Sequence, residues 1–179
     1  MEYFIIVNRF TLEHIYGGEA SCLRELVERA VREGRDLSEA NLMGANLVGA
    51  RLERAYLARS NLYAADLTGA TLAKADLTGA KLTKARLCRV NLCQAHLTAS
   101  NLHRADLTGA DLSGTTFVDA DLIGADLSSC TVTGADFKGA FLTRANLTGV
   151  DLDSADLTRA DLGLAKGVAT ECRLRLLGY

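Results

Sequence analysis

The sequence predicts an all-β solenoid, a chain that turns through the same angle at short intervals and stacks its coils on one apolar core. From Leu37 to Leu162 every fifth residue is Leu, Phe or Val, 26 positions without an insertion or a slip. Two residues before each of these, from position 40 to 160, alanine fills 19 of 25 places. Five is a period that neither regular structure can use, because a helix advances about 500° in five residues and a strand changes face at every odd step. The leucines share a core only if the chain turns once per unit, and each unit then sends one large and one small side chain inward.

Composition agrees with a single structured domain. The 179 residues are 49% apolar with a net charge of -2 and contain no proline, which excludes a disordered chain and proline-rich linkers. Aromatic residues make up only 6%, so the core must be assembled from many similar aliphatic pieces rather than a few large rings.

Residues 1–34 read as an N-terminal cap. Tyr3 to Val7 and Leu12 to Tyr16 are two short β runs around Asn8-Arg9-Phe10-Thr11, a hairpin over 3–16. A helix over 21–33 follows, with Ser21 as its N-cap, Leu23, Leu26, Val27, Ala30 and Val31 along one face, and Gly34 in the C′ position. Glu25 with Arg29 and Glu28 with Arg32 have the spacing of favourable helical ion pairs. The apolar stripe abuts the first repeat and is expected to cover the first coil.

Residues 35–165 carry the repeat A-(D/N)-L-x-x. The residue before the large apolar one is Asp or Asn in 17 of 26 units, and glycine takes the last place in ten, where a corner can require positive φ. Leu67, Leu107, Phe117 and Phe137 fall at the central inward position, and Cys130 replaces an inward alanine, so all five are assigned to the core. In residues 166–179 the repeat dissolves. Leu174 and Leu176 alternate with Arg173 and Arg175 before Leu177 and Tyr179, a half-buried strand pattern that either caps the last coil or pairs two copies into a homodimer.

The tandem units, such as Ala65-Asp66-Leu67-Thr68-Gly69 and Ala105-Asp106-Leu107-Thr108-Gly109, resemble the pentapeptide-repeat protein family. The resemblance implies a right-handed quadrilateral β-helix with four units per coil. The 26 units then make about 6.5 coils, a rod roughly 30 Å long. It also implies 20-residue coils in which Asp106 stacks with Asp126 and Asp136 with Asp156.

No catalytic or metal constellation emerges, and no cofactor is implied. Most Asp residues are explained by the outward position of the repeat, and a regular rod lacks the concave site that catalysis needs. His14, His96 and His103 have no partner spacing. Cys88 and Cys93 take the same outward position in consecutive units, and the five cysteines have no CxxC spacing. With no basic leader and no apolar run of membrane length, the expectation is a cytoplasmic protein, bacterial or phage, without a membrane partner.

Charge is uneven along the repeat. Residues 35–100 hold nine Lys or Arg and five acids, among them Lys81, Lys84, Arg86 and Arg89, whereas residues 101–165 hold four basic residues and ten Asp. The reading is a non-enzymatic protein-protein interaction scaffold. Its candidate contacts are Lys81, Lys84, Arg86, Arg89, Asp106, Asp126, Asp136 and Asp156. Some members of the resembled family protect type II topoisomerases by imitating DNA, so the alternative is a DNA-mimicking inhibitor or protector of DNA gyrase or topoisomerase IV; a remote third reading, an enzyme, would need a pocket between hairpin and rod that the sequence does not reveal. The basic half and the absence of loops between coils depart from that pattern. Direct nucleic-acid binding would require an aromatic stacking platform and a strongly basic domain, which this chain lacks.

Overall fold

The computed structural model describes residues 1–169. Leu174, Leu176, Leu177 and Tyr179, with the capping or dimerising role expected of 166–179, lie outside the described residues. Every unit closes on a tight turn. The N–H of the small inward residue donates to the carbonyl of the preceding large one, as from Ala45 to Leu42 at 3.1 Å and from Ala110 to Leu107 at 2.9 Å. Between turns one residue bridges in parallel to the residue 20 positions on, Asp36 to Tyr56, Asn41 to Asn61 and onward to Asn146 with Lys166. Twenty residues are four units, so each coil has four sides. Amides alternate between neighbouring coils: Leu67 donates forward to Arg86 O at 2.7 Å, and Asp66 donates back to Ala45 O at 2.9 Å.

The corner makes the same demand in nearly every unit. Of the 26 last positions from Glu39 to Leu164, all but Ser154 have positive φ, ten of them glycine and fifteen not. Positive φ in the third place of a four-residue turn is the signature of a type II geometry, which glycine satisfies without a Cβ clash. The sequence therefore shows only part of the corner pattern, because Ala64, Lys84 and Arg104 adopt the conformation that glycine marks elsewhere.

The core is one continuous stack. Leu67 and Leu107 are fully buried, Cys130 is buried, and Phe117 and Phe137 stack in consecutive coils with ring centroids 4.9 Å apart and planes 2° from parallel. Three inward positions are polar. Ser100 Oγ donates to Leu97 O and Thr115 Oγ1 to Leu92 O, both at 2.7 Å. Ser60 Oγ, equally buried, has no hydrogen-bond partner among the described residues.

The N-terminal cap consists of β1 (Glu2–Val7), β2 (His14–Ala20) and α1 (Leu23–Arg32). β1 and β2 pair antiparallel, from Glu2 with Ala20 to Val7 with His14. The connection is longer than the sequence suggests because Asn8 Oδ1 accepts the N–H groups of Phe10 and Thr11 and Leu12 is left-handed. β2 runs on through Gly17 and Gly18, which look like a break in the sequence. At Gly18 a Cβ would lie 2.7 Å from the tip of the Arg29 side chain, whose guanidinium lies over β2 and donates to Glu19 O at 3.0 Å.

The helix starts one residue later than its sequence signal. Cys22 is the N-cap, and Ser21 donates from both its N–H and Oγ to Glu25 Oε2 at 2.7 Å. At the other end Gly34 N–H donates to Val31 O and Arg35 N–H to Ala30 O, a Schellman closure. Leu26, Val27 and Ala30 are buried, with Leu23 and Val31 half-buried at the edge of the same face. Glu28, expected to pair with Arg32, turns to the coil instead and accepts the Arg51 N–H at 2.9 Å. Asn41 N–H is met by Val7 O at 2.8 Å. The cap thus supplies acceptors to first-coil amides that have no coil before them.

Two stability changes follow from the corners and the core. A left-handed L-residue costs about 1–2 kcal/mol, and the extra entropy of glycine in the unfolded chain offsets about half of that. Ala64→Gly and Ala99→Gly are each expected to raise the unfolding free energy by about 0.5–1 kcal/mol, while Gly69→Ala lowers it by a similar amount. Ser60→Ala removes a buried hydroxyl without a partner and should stabilise by about 1 kcal/mol, whereas Ser100→Ala, which removes a hydrogen-bonded one, should not. Chemical denaturation of the five proteins beside the parent reads both effects, and a loss of stability in Ser60→Ala would show that its hydroxyl is satisfied in solution.

Candidate interaction surface

The four sides are distinguished by their outward series, the first beginning at Asp36, the second at Asn41, the third at Asn46 and the fourth at Arg51. The local role of Asp and Asn in these series is to hold the turn. Oδ1 accepts the N–H two residues on, as from Thr68 to Asp66 at 3.0 Å, Thr108 to Asp106 at 3.0 Å and Ser128 to Asp126 at 2.9 Å. In these three units the Thr or Ser hydroxyl donates to the same oxygen at 2.6 Å.

Asp106 and Asp126 bridge on the third side, and Asp136 and Asp156 bridge on the first. Two units separate these series within a coil, so the two acidic rungs face opposite ways and do not join into one stripe. Each rung is also mixed with other groups. Asp126 accepts both hydrogen bonds of the Asn146 amide, at 3.1 and 3.2 Å, and Cys88 Sγ donates to Asp106 Oδ2 at 2.9 Å.

Lys81, Lys84, Arg86 and Arg89 all belong to the third coil, on the second and third sides. Arg86 forms an ion pair with Asp66 at 3.4 Å and bridges to Asp106 on its other flank, so its charge is locally balanced. Lys81 and Lys84 converge on Tyr63 in the coil before, with their ammonium nitrogens 5.3 and 6.0 Å from the ring centroid. Tyr63 escaped the sequence reading although the 20-residue coil contains its signal: 18 and 21 residues before the two lysines is the neighbouring rung of the same side.

The electrostatics of these groups favour structure over reactivity. Burial pushes the Cys88 thiol up to about 11, aided by the Asp106 hydrogen bond and charge, so it stays protonated near neutrality. Cys130, hydrogen-bonded to Leu107 O, is pushed up to about 12 by burial. Burial also raises the Asp106 and Asp126 carboxyls, but the hydrogen bonds they receive outweigh it and both fall below the ordinary carboxylate range. Among the described residues no three His, Cys, Asp or Glu side chains gather as a metal site, and no helix is long and apolar enough to cross a membrane.

A carboxyl whose pKa is depressed in the folded chain contributes stability that is complete above its unfolded value of about 3.9 and is lost as pH falls through the folded one. Asp66, Asp106, Asp126, Asp156 and Asp161 share that direction. The denaturant midpoint should therefore hold from neutrality to about pH 5 and decline below about pH 4. Asp126→Asn should flatten that decline, and an unchanged acid limb would remove Asp126 from the account.

The Pentapeptide repeats family matches the chain in 8 copies over residues 36–73, 75–114, 100–139 and 125–163. No curated protein matches at a significant level. Among solved structures, Rfr23 of the cyanobacterium Cyanothece 51142, a pentapeptide repeat protein, is 31% identical over 54% of this chain and 61% of its own, with a TM-score of 0.41. The chain thus spans about three fifths of the length of Rfr23. HetL, a pentapeptide repeat protein of Nostoc sp. strain PCC 7120 involved in heterocyst differentiation regulation, is 34% identical over 73% of this chain and 79% of its own, with a TM-score of 0.36. QnrB1, a plasmid-mediated fluoroquinolone resistance protein, is 18% identical over 77% and 82%, with a TM-score of 0.33. The family match takes in most of the register that runs unbroken from Leu37 to Leu162, and this chain belongs to the pentapeptide repeat family.

Proposed function

We propose that the chain is a non-enzymatic rod whose flat sides bind another protein. The observation that supports this reading is the parallel bridging of the outward series at 20-residue intervals, which on the fourth side runs as far as Thr131 and which sets side chains in straight rows about 4.8 Å apart while the interior is occupied by core. Such rows offer a long, preorganised contact at little ordering cost, which suits recognition of a macromolecular surface. Lys81 and Lys84 gather two cations around Tyr63 on the second side, which favours an acidic partner segment.

A topoisomerase-directed DNA mimic is the second reading, favoured by the acidic excess of residues 101–165. It is ranked below because the two acidic rungs occupy opposite sides and Arg86 interrupts the third.

The rod immobilised as the full chain should retain a host protein from lysate, and Lys81→Glu with Lys84→Glu should release it while the melting temperature is kept. Purified DNA gyrase should supercoil DNA with little inhibition at submicromolar rod. Potent inhibition, abolished by reversing Asp106, Asp126, Asp136 and Asp156 to Lys, would promote the mimic over the scaffold.

A further inference from the structure

Strand β1 has one edge paired and one edge open. Its register against β2 runs from Glu2 with Ala20 to Ile6 with Tyr16, and Phe4 O lies 3.1 Å from where a Cβ of Gly17 would stand, so the peptide groups of Phe4 face β2. Peptide groups alternate between the two edges of a strand, and the N–H and C=O of Tyr3 and Ile5 therefore face the other way. Farther along, the first coil takes that second edge: Val7 O accepts the Asn41 N–H at 2.8 Å and Arg9 N–H donates to Glu39 O at 2.7 Å. Among the described residues, no strand, bridge or backbone hydrogen bond reaches Tyr3 or Ile5 from that side.

The open stretch is apolar as well as unpaired. Tyr3 is 66% exposed and Ile5 54%, whereas Phe4 and Ile6 turn to the core. From Tyr3 to Val7 the strand carries no charge and no proline, the devices that keep an edge from pairing with another chain.

We infer that this edge is a docking site for a second copy of the chain, β1 pairing antiparallel with the partner's β1 to join the two hairpins into one sheet. A two-fold axis beside Phe4 sets Tyr3 opposite the partner's Ile5 and Ile5 opposite the partner's Tyr3, and each pair exchanges both backbone bonds. Self-complementarity is what selects a copy of this chain. The two open rungs mirror one another, and each becomes an aromatic residue against a β-branched one, a favourable cross-strand pair. The register is fixed from both directions. A shift of two residues toward Val7 would require the carbonyl that the Asn41 N–H already occupies, and the opposite shift would set Ile5 against the partner's Met1, which lies outside β1. A shift of one would present groups that already face β2. The first coils, bonded to β1 at Val7 and Arg9, lie beyond opposite ends of the paired segment. The contact is short and consists of backbone bonds and apolar side chains, so the dimer is weak and insensitive to salt.

Sedimentation equilibrium and residue-resolved hydrogen exchange of the full chain test this together. The wild type should pass from monomer to dimer between about 10 μM and about 1 mM, with a dissociation constant that changes less than about twofold between about 0.05 and about 0.5 M salt. Over the same range of protein concentration the amides of Tyr3 and Ile5 should become protected from exchange, while those of Phe4 and Ile6, which face β2, should not change. Ile5→Lys should raise the dissociation constant about tenfold or more with circular dichroism unchanged, and Tyr3→Lys provides the same test should the first variant fail to fold. Ile5→Val, which keeps a β-branched side chain, should dimerise as the wild type does. A chain that stays monomeric to about 1 mM would overturn the proposal. So would a dimer that leaves the Tyr3 and Ile5 amides unprotected or survives both lysine substitutions, which would locate self-association elsewhere, for instance at 170–179.

Discussion

The rest of the structure depends on one constraint, that each pentapeptide must turn the chain through the same corner while its amides remain paired with the coils on either side. The turn bond from the small residue to the preceding large one fixes the corner, and the bonds 19 residues forward and 21 back fix the stacking. An inserted residue would move the large side chain off the inward position and break both sets of bonds at once. That is why 26 units run without a slip. It also explains the separation of tasks within a unit. Two residues fill the core, one holds the turn through its side chain, one is left-handed, and one is free to vary.

A solenoid closes its own hydrogen bonds everywhere except at its ends, so the ends are where other structure must appear. At the N-terminal end the solution combines apolar cover with specific acceptors. Leu26, Val27 and Ala30 are wholly buried, while Val7 O and the Glu28 carboxylate receive the Asn41 and Arg51 amides. Arg9 reaches past the first coil to the carbonyl of Arg59 at 2.8 Å, and Asn8 donates to Glu39 at 3.1 Å, which ties the hairpin connection to the rod. The regularity fades toward the other end. Ser154 lacks the left-handed corner, and Val150, Ala155 and Ala160 are only partly buried where their counterparts earlier in the chain are fully so.

The core was legible in the sequence because it is periodic: one large apolar position every five residues leaves a single way to share an interior. Phe117, Phe137 and Cys130 were assigned inward on register alone. The cap was legible only as elements, since its boundaries depend on contacts with residues far along the chain. Glu28 sits at helical spacing from Arg32, yet the unpaired amide of Arg51, 23 residues away, is the stronger claim on its carboxylate, because an unsatisfied backbone donor costs more than an exposed ion pair contributes. The corners were half legible. Glycine announces positive φ, but Ala64 and Arg104 accept it under compulsion from the stacking, and nothing in their identity announces that.

Surface chemistry is where the count of residues misleads and their arrangement informs. Ten aspartates in residues 101–165 suggest an acidic field, but the turn explains many of them, and a carboxylate with one oxygen engaged by the backbone is first a structural group. Because the turn accepts Asp or Asn almost equally, the choice between them on a given rung is not dictated by folding. The same holds for Arg, Lys, Gly or Ala at the left-handed corner. The sign pattern on each side is therefore the part of the sequence that the fold leaves open.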